Sequence, residues 1–293
     1  MNDLQTLRAA LTPDEPSQDV IDHSRHRLQN RIHGGRAPRR RTGWLITGVS
    51  LTAAAAAVAI AVMPAAPVDG PPVRTVSGQE ILLAAATAAE RSPEGSGTYW
   101  HVKVTEADDA DASSGYEYWI KPDGRLWMRG AKTGGKVAPM KTQSAIPFSL
   151  VAVDLTLEQL RALPTDPDAL KAWIADAVER SDARTSAGEL TASDREQAVF
   201  QSLISLVSTL PATPEVRATA FRAIAAYPGV QSLGTVPGGQ GLLLPEGERL
   251  VVDPATGRVN GTSVYITMDG AVYRATNPGG ARIDAEWTDT LPA

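Results

Sequence analysis

The sequence predicts an α+β fold: a curved, half-barrel-like antiparallel sheet with a helical layer, preceded by one transmembrane helix. Three observations carry this. A charge-free apolar run occupies residues 44–63. Beyond residue 77, alternating strand patterns come in two blocks separated by one block of helical patterns. The strict β–α alternation that a parallel sheet requires is absent. Four segments follow: 1–43 basic and amphipathic, 44–63 transmembrane, 64–76 a stalk, and 77–293 the folded domain.

The N-terminal segment has Leu4, Leu7 and Leu11 at helical spacing, then Ile21, Leu28 and Ile32 as a second thin stripe. Two short amphipathic helices cannot bury a core by themselves. Their stripes are therefore candidate contacts for a partner or a lipid surface. Residues 1–43 hold eight arginines and five acids, whereas the whole chain of 293 residues is net −5. Trp44 to Met63 is about 20 residues, which at about 1.5 Å each matches a roughly 30 Å hydrocarbon core. Arg36, Arg39, Arg40 and Arg41 precede it and Asp69 is the first charge after it. That bias predicts a single-pass cell-membrane protein with a cytoplasmic N-terminus and an extracytoplasmic C-terminal domain. A cleaved leader fits less well, because 43 residues are long for its leading region.

Within the folded domain, Ser77-Gly-Gln-Glu80 is a capping-box pattern opening an alanine-rich helix to about Glu90. Tyr99–Glu106, Tyr116–Lys121 and Leu126–Arg129 alternate and form an antiparallel meander, with Pro122-Asp123-Gly124 as a turn. Thr156 caps a helix to Leu163, and Asp166-Pro167 opens one to Arg180. Ser193-x-x-Glu196 opens one reaching Leu210. Thr213-Pro214 opens one ending near Tyr227. Strands are predicted at Val230–Val236, Gly241–Leu244, Arg249–Val252, Arg258–Thr267, Ala271–Ala275 and Arg282–Trp287. The clearest hairpin turns are at 253–257 and 268–270.

Several segments carry a family resemblance: Tyr118-Trp-Ile-Lys-Pro-Asp-Gly-Arg-Leu-Trp127, Leu163-Pro-Thr-Asp-Pro-Asp-Ala-Leu170, Ala226-Tyr-Pro-Gly-Val230 and Val252-Asp-Pro-Ala-Thr-Gly-Arg258. With the helical N-terminus and the Arg-rich stop, the chain resembles a family of uncharacterised actinobacterial single-pass membrane proteins. Genes of that family often lie beside those for extracytoplasmic-function sigma factors. The order of elements is also distantly similar to the half-barrels of lipoprotein carriers and envelope-stress sensors. The resemblance implies a regulatory setting and transfers no catalytic residue.

Composition excludes several chemistries. With no cysteine there is no disulfide, thiolate nucleophile or cysteine-ligated metal. The H-E-x-x-H, P-loop, G-x-G-x-x-G and G-x-S-x-G patterns are all missing. His23, His26 and His33 are irregularly spaced and read as solvated. The acidic loop with Glu106, Asp108, Asp109 and Asp111 fails the EF-hand spacing. Glu117, Asp123 and Glu286 are the sheet carboxylates available to a hydrolase. No catalytic residue, metal ligand or cofactor is assigned, and without aromatic interleaving of the basic residues no nucleic acid is expected.

Trp100, Trp119 and Trp127 cluster in the meander and are the candidate ligand-binding residues, the alternative being core packing. Tyr118 and Trp119 must point to opposite faces. The expected function is non-enzymatic ligand sensing or binding, linked to envelope regulation through a sigma factor or other cytoplasmic regulator. Leu4, Leu7, Leu11, Ile21, Leu28 and Ile32 would make that contact. A tethered carrier of lipid or lipoprotein, with an apolar ligand under the sheet, is the alternative, and a hydrolase using carboxylates ranks below it.

Overall fold

In the computed structural model the described residues are 76–106, 115–140, 146–181, 183–185, 188–267, 270–275 and 280–292. Helix α1 (Gly78–Arg91) opens at the predicted capping box: the Ser77 hydroxyl accepts from the Glu80 N–H, and the Glu80 carboxylate from the Ser77 N–H. The meander follows as β1 (Tyr99–Glu106), β2 (Tyr116–Ile120) and β3 (Leu126–Arg129), extended by a short β4 (Ala138–Met140). A small hairpin, β5 (Phe148–Leu150) and β6 (Val153–Leu155), leads to the helices. These are α2 (Leu157–Arg161), α3 (Pro167–Arg180), α4 (Ala192–Ser208) and α5 (Pro214–Ala225), with a minimal hairpin β7 (Arg184–Thr185) and β8 (Gly188–Glu189) before α4. The chain then returns to strand: β9 (Gln231–Val236), β10 (Gly239–Leu243), β11 (Arg249–Asp253), β12 (Arg258–Thr262), β13 (Val264–Ile266), β14 (Val272–Arg274) and β15 (Ala281–Thr288).

Nine of these strands form one antiparallel sheet in the order β4-β3-β2-β1-β15-β12-β11-β10-β9. The last strand therefore lies at the middle and joins the two strand blocks. One face carries Trp100, Val102, Val104, Tyr118, Ile120, Leu242, Leu250, Val252 and Ile283, all buried. Helices α1 and α4 lie against the strands. Helix α5 packs against α1, α3 and α4. The buried alanines of α1 and α5 (Ala85, Ala86, Ala89; Ala218, Ala220, Ala223) suit a close approach of two backbones. The tip of the β11–β12 hairpin docks on α1 through Gly257: its φ is +67°, and a Cβ there would stand 2.6 Å from the Ala85 carbonyl oxygen. Glycine alone meets both conditions.

Three expectations need correction. The single-pass anchor, and with it the cell-membrane location and the partition of the chain between cytoplasm and exterior, is overturned. No helix among the described residues is long and apolar enough to cross a membrane. The longest, α4, has 17 residues and carries Asp194, Arg195 and Glu196. Its apolar residues are buried within the fold. The run at 44–63 on which the expectation rested lies outside the described residues, as do the segment 1–43 and the stalk to residue 75. The half-barrel is corrected too, because β4 and β9 each have one neighbour and the sheet does not close. Lastly, the single strand predicted over 258–267 is two. The Thr262 hydroxyl donates to the Val264 carbonyl (2.7 Å) and accepts from the Val264 N–H (3.2 Å). Such local bonds compete with a continuous ladder, and after Ser263 the chain leaves the main sheet to pair with β14.

Candidate functional site

An open pocket of about 380 Å³ lies at the end of the sheet where β1 begins and β15 finishes. Local structure explains its walls. Helix α1 stops at Ser92, whose N–H bonds the Ala89 carbonyl, and the glycine-containing turn 92–96 passes along the rim. Gly95 lies so close to the Trp287 indole that a Cβ would stand 3.0 Å from its ring. Alternation on β15 turns Ala285 and Trp287 inward with Ala281 and Ile283. Trp287 meets Trp100 edge to face, with ring centroids 5.4 Å apart. The Trp100 Nε1–H donates to the Thr209 carbonyl at 2.7 Å, tying this wall to the end of α4. The connection from α4 into α5 makes the floor and brings Arg217 into the pocket; the β11–β12 turn closes the far side.

The charges of the site are unequally paired. Arg258 is bound to Asp284 (2.7 Å), and Glu94 to Arg161 (2.9 Å). Glu286 alternates with Ala285 and Trp287, so its side chain points to the opposite face. Arg217 is partly buried, and among the described residues its guanidinium donates only to the Ala212 carbonyl, from Nη2 at 3.2 Å. Burial, and next the neighbouring charge of Arg258, lower its proton affinity. A guanidinium nevertheless stays charged at neutral pH.

The three candidate tryptophans do not share a surface. Trp100 belongs to the pocket. Trp119 and Trp127 lie on the outer face, where one cross-strand row runs Glu286, His101, Trp119, Trp127, Pro139. Trp119 is only 2% exposed although it lies outside the main core. His101 stacks on it at 4.6 Å and 8°, and the Arg129 guanidinium sits 5.5 Å from its ring. Tyr118 faces the helices, so the two neighbours do point apart. The sheet carboxylates are dispersed: Glu117 is bonded to Arg129 and His101, and Asp123 to Arg125 within its turn. Beneath the sheet, the space between Trp100, Tyr118, Phe148 and Leu210 is only about 10 Å³, about one water's worth.

Sequence reasoning missed Trp287 and Arg217. The strand carrying Trp287 was legible, but its register against β1 was not. Arg217 did leave a trace. It falls in the first turn of a helix beginning at Pro214, where a cation opposes the helix dipole.

Leu4, Leu7, Leu11, Ile21, Leu28 and Ile32 lie outside the described residues, as does the acidic loop at 107–114. Among the described residues no group of three or more His, Asp or Glu is placed to hold a metal ion. No family model, curated protein or solved structure matches the chain.

Proposed function

We propose that residues 76–293 form a ligand-binding module, and that the chain senses a small molecule by taking it into the pocket between Trp100, Trp287 and Arg217. The pocket itself is the observation that carries this reading. The half-buried Trp287 indole, backed by Trp100, supplies apolar wall, and the Arg217 guanidinium supplies a charged anchor. The lining is more polar than apolar, and a charged group set in such a cleft can fix the orientation of a polar ligand. The chemistry in it suits holding a molecule, since the nearby carboxylates are paired or turned away. In this reading the stripes at Leu4–Leu11 and Ile21–Ile32 pass occupancy on to a protein regulator.

The test is a screen of the full chain against small molecules, read by thermal shift and native mass spectrometry. A ligand found this way should bind Trp287→Phe and Trp100→Phe at least about tenfold more weakly, as expected when a well-packed aromatic wall is reshaped. Trp127→Ala, on the other face, should leave affinity unchanged. The opposite pattern would move the site to the outer face and end this reading.

A further inference from the structure

We infer that the ligand is a small organic monocarboxylate with an aromatic or apolar body, its carboxylate seated on Arg217. This rests on the pocket being the binding site. The argument begins with a charge that the fold leaves uncompensated. A partly buried cation without a counter-ion is costly. Among the described residues no carboxylate lies within ion-pair distance of Arg217, and the acids that line the pocket are bound to Arg161 or face away. Two further features worsen its situation: the positive end of α5, in whose first turn it sits, and the nearby Arg258. Both favour an anion in front of it.

Shape then narrows the class. A guanidinium offers five donors in a planar fork, and the described residues use one of them. The remainder match the two oxygens of a carboxylate. One uncompensated cation balances one negative charge. A phosphate monoester brings about 1.5–2, so the monocarboxylate is favoured. The half-buried Trp287 indole beside it, backed edge to face by the buried Trp100, provides the surface for an aromatic or apolar body.

The experiment titrates the full chain at low salt with cinnamate, cinnamamide and phenyl phosphate, by calorimetry or tryptophan fluorescence. Cinnamate should bind at least about tenfold more tightly than its neutral amide. Arg217→Gln, checked for native circular dichroism, should bring that ratio close to one, and Arg217→Lys should restore part of it. Equal binding of cinnamate and cinnamamide to the unaltered protein overturns the carboxylate but leaves the pocket standing. No binding of any probe overturns both. Tighter binding of phenyl phosphate overturns the one-charge argument, and a ratio unchanged in Arg217→Gln removes Arg217 from recognition.

Discussion

Glu117 shows how a single side chain can organise a sheet face that no layer of helices supports. It sits between Lys103 and Arg129 in one cross-strand row, with His101 diagonal to it. It accepts from Arg129 at 2.7 and 2.8 Å and lies 3.2 Å from the His101 Nε2. Burial alone would raise its proton affinity. The Arg129 bond and charge, the His101 bond and the Lys103 charge outweigh that and hold the carboxyl below the usual range. A carboxyl with a depressed folded pKa adds stability above its unfolded pKa, at about 4.3, and that contribution is lost as pH falls through the folded value. Glu117→Gln should therefore cost about 2 kcal/mol at neutral pH, with the deficit shrinking below about pH 4. Urea midpoints of both proteins at neutral and acid pH measure this. A deficit that did not change with pH would contradict the assignment.

Among the elements, those fixed by near neighbours in sequence are the ones the sequence reveals. The α1 and α2 capping boxes sit at Ser77 and Thr156 as their residue spacing predicts. The box of α4 shows where spacing misleads. Ser193-x-x-Glu196 fits the pattern, but Thr191 with Asp194 forms the cap, the Thr191 hydroxyl accepting from the Asp194 N–H and the Asp194 carboxylate from the Thr191 N–H. Both pairs fit the pattern, so spacing alone does not choose between them. Thr191→Ala should accordingly cost about 1 kcal/mol, whereas Ser193→Ala should stay within about 0.5 kcal/mol; thermal melts of the two variants separate them. The β13–β14 hairpin falls within its predicted strands, while the β5–β6 hairpin was illegible. So was most of the pocket, whose parts come from five separate stretches of chain.

Seen as a whole, the described residues belong to one compact unit, and its unity depends on β15. That strand pairs with β1 along its full length, from Tyr99↔Thr288 to Glu106↔Ala281, and with β12 through Gly261↔Arg282 and Thr262↔Ala281. The Asp289 carboxylate adds a clasp by accepting from the N–H and hydroxyl of Thr98, which keeps it below the usual carboxylate range. Without β15 the meander and the β9–β12 block share no strand pairing. A chain ended at residue 280 should lose its cooperative unfolding transition, which calorimetry and denaturant titration would reveal directly. A truncated chain that melted sharply would show instead that the helical layer suffices to unite the two blocks. The free margins differ from this centre. Pro139 sits in edge strand β4, and β10 shifts register against edge strand β9 between Gly241 and Leu242. Proline and irregular pairing both discourage a further strand from adding on.

Placing the last strand at the centre also has a consequence for biosynthesis. A ribosome releases the meander and the helices long before residues 281–288 exist as peptide. Contacts between Tyr99 and Thr288 span nearly the whole domain, the kind of separation that slows folding. Until then the inner side of β1, with Trp100, Val102 and Val104, has no neighbour on one flank, and such unfinished sheets are prone to stick to one another. The nascent protein thus has reason to depend on chaperone shelter until its final strand arrives.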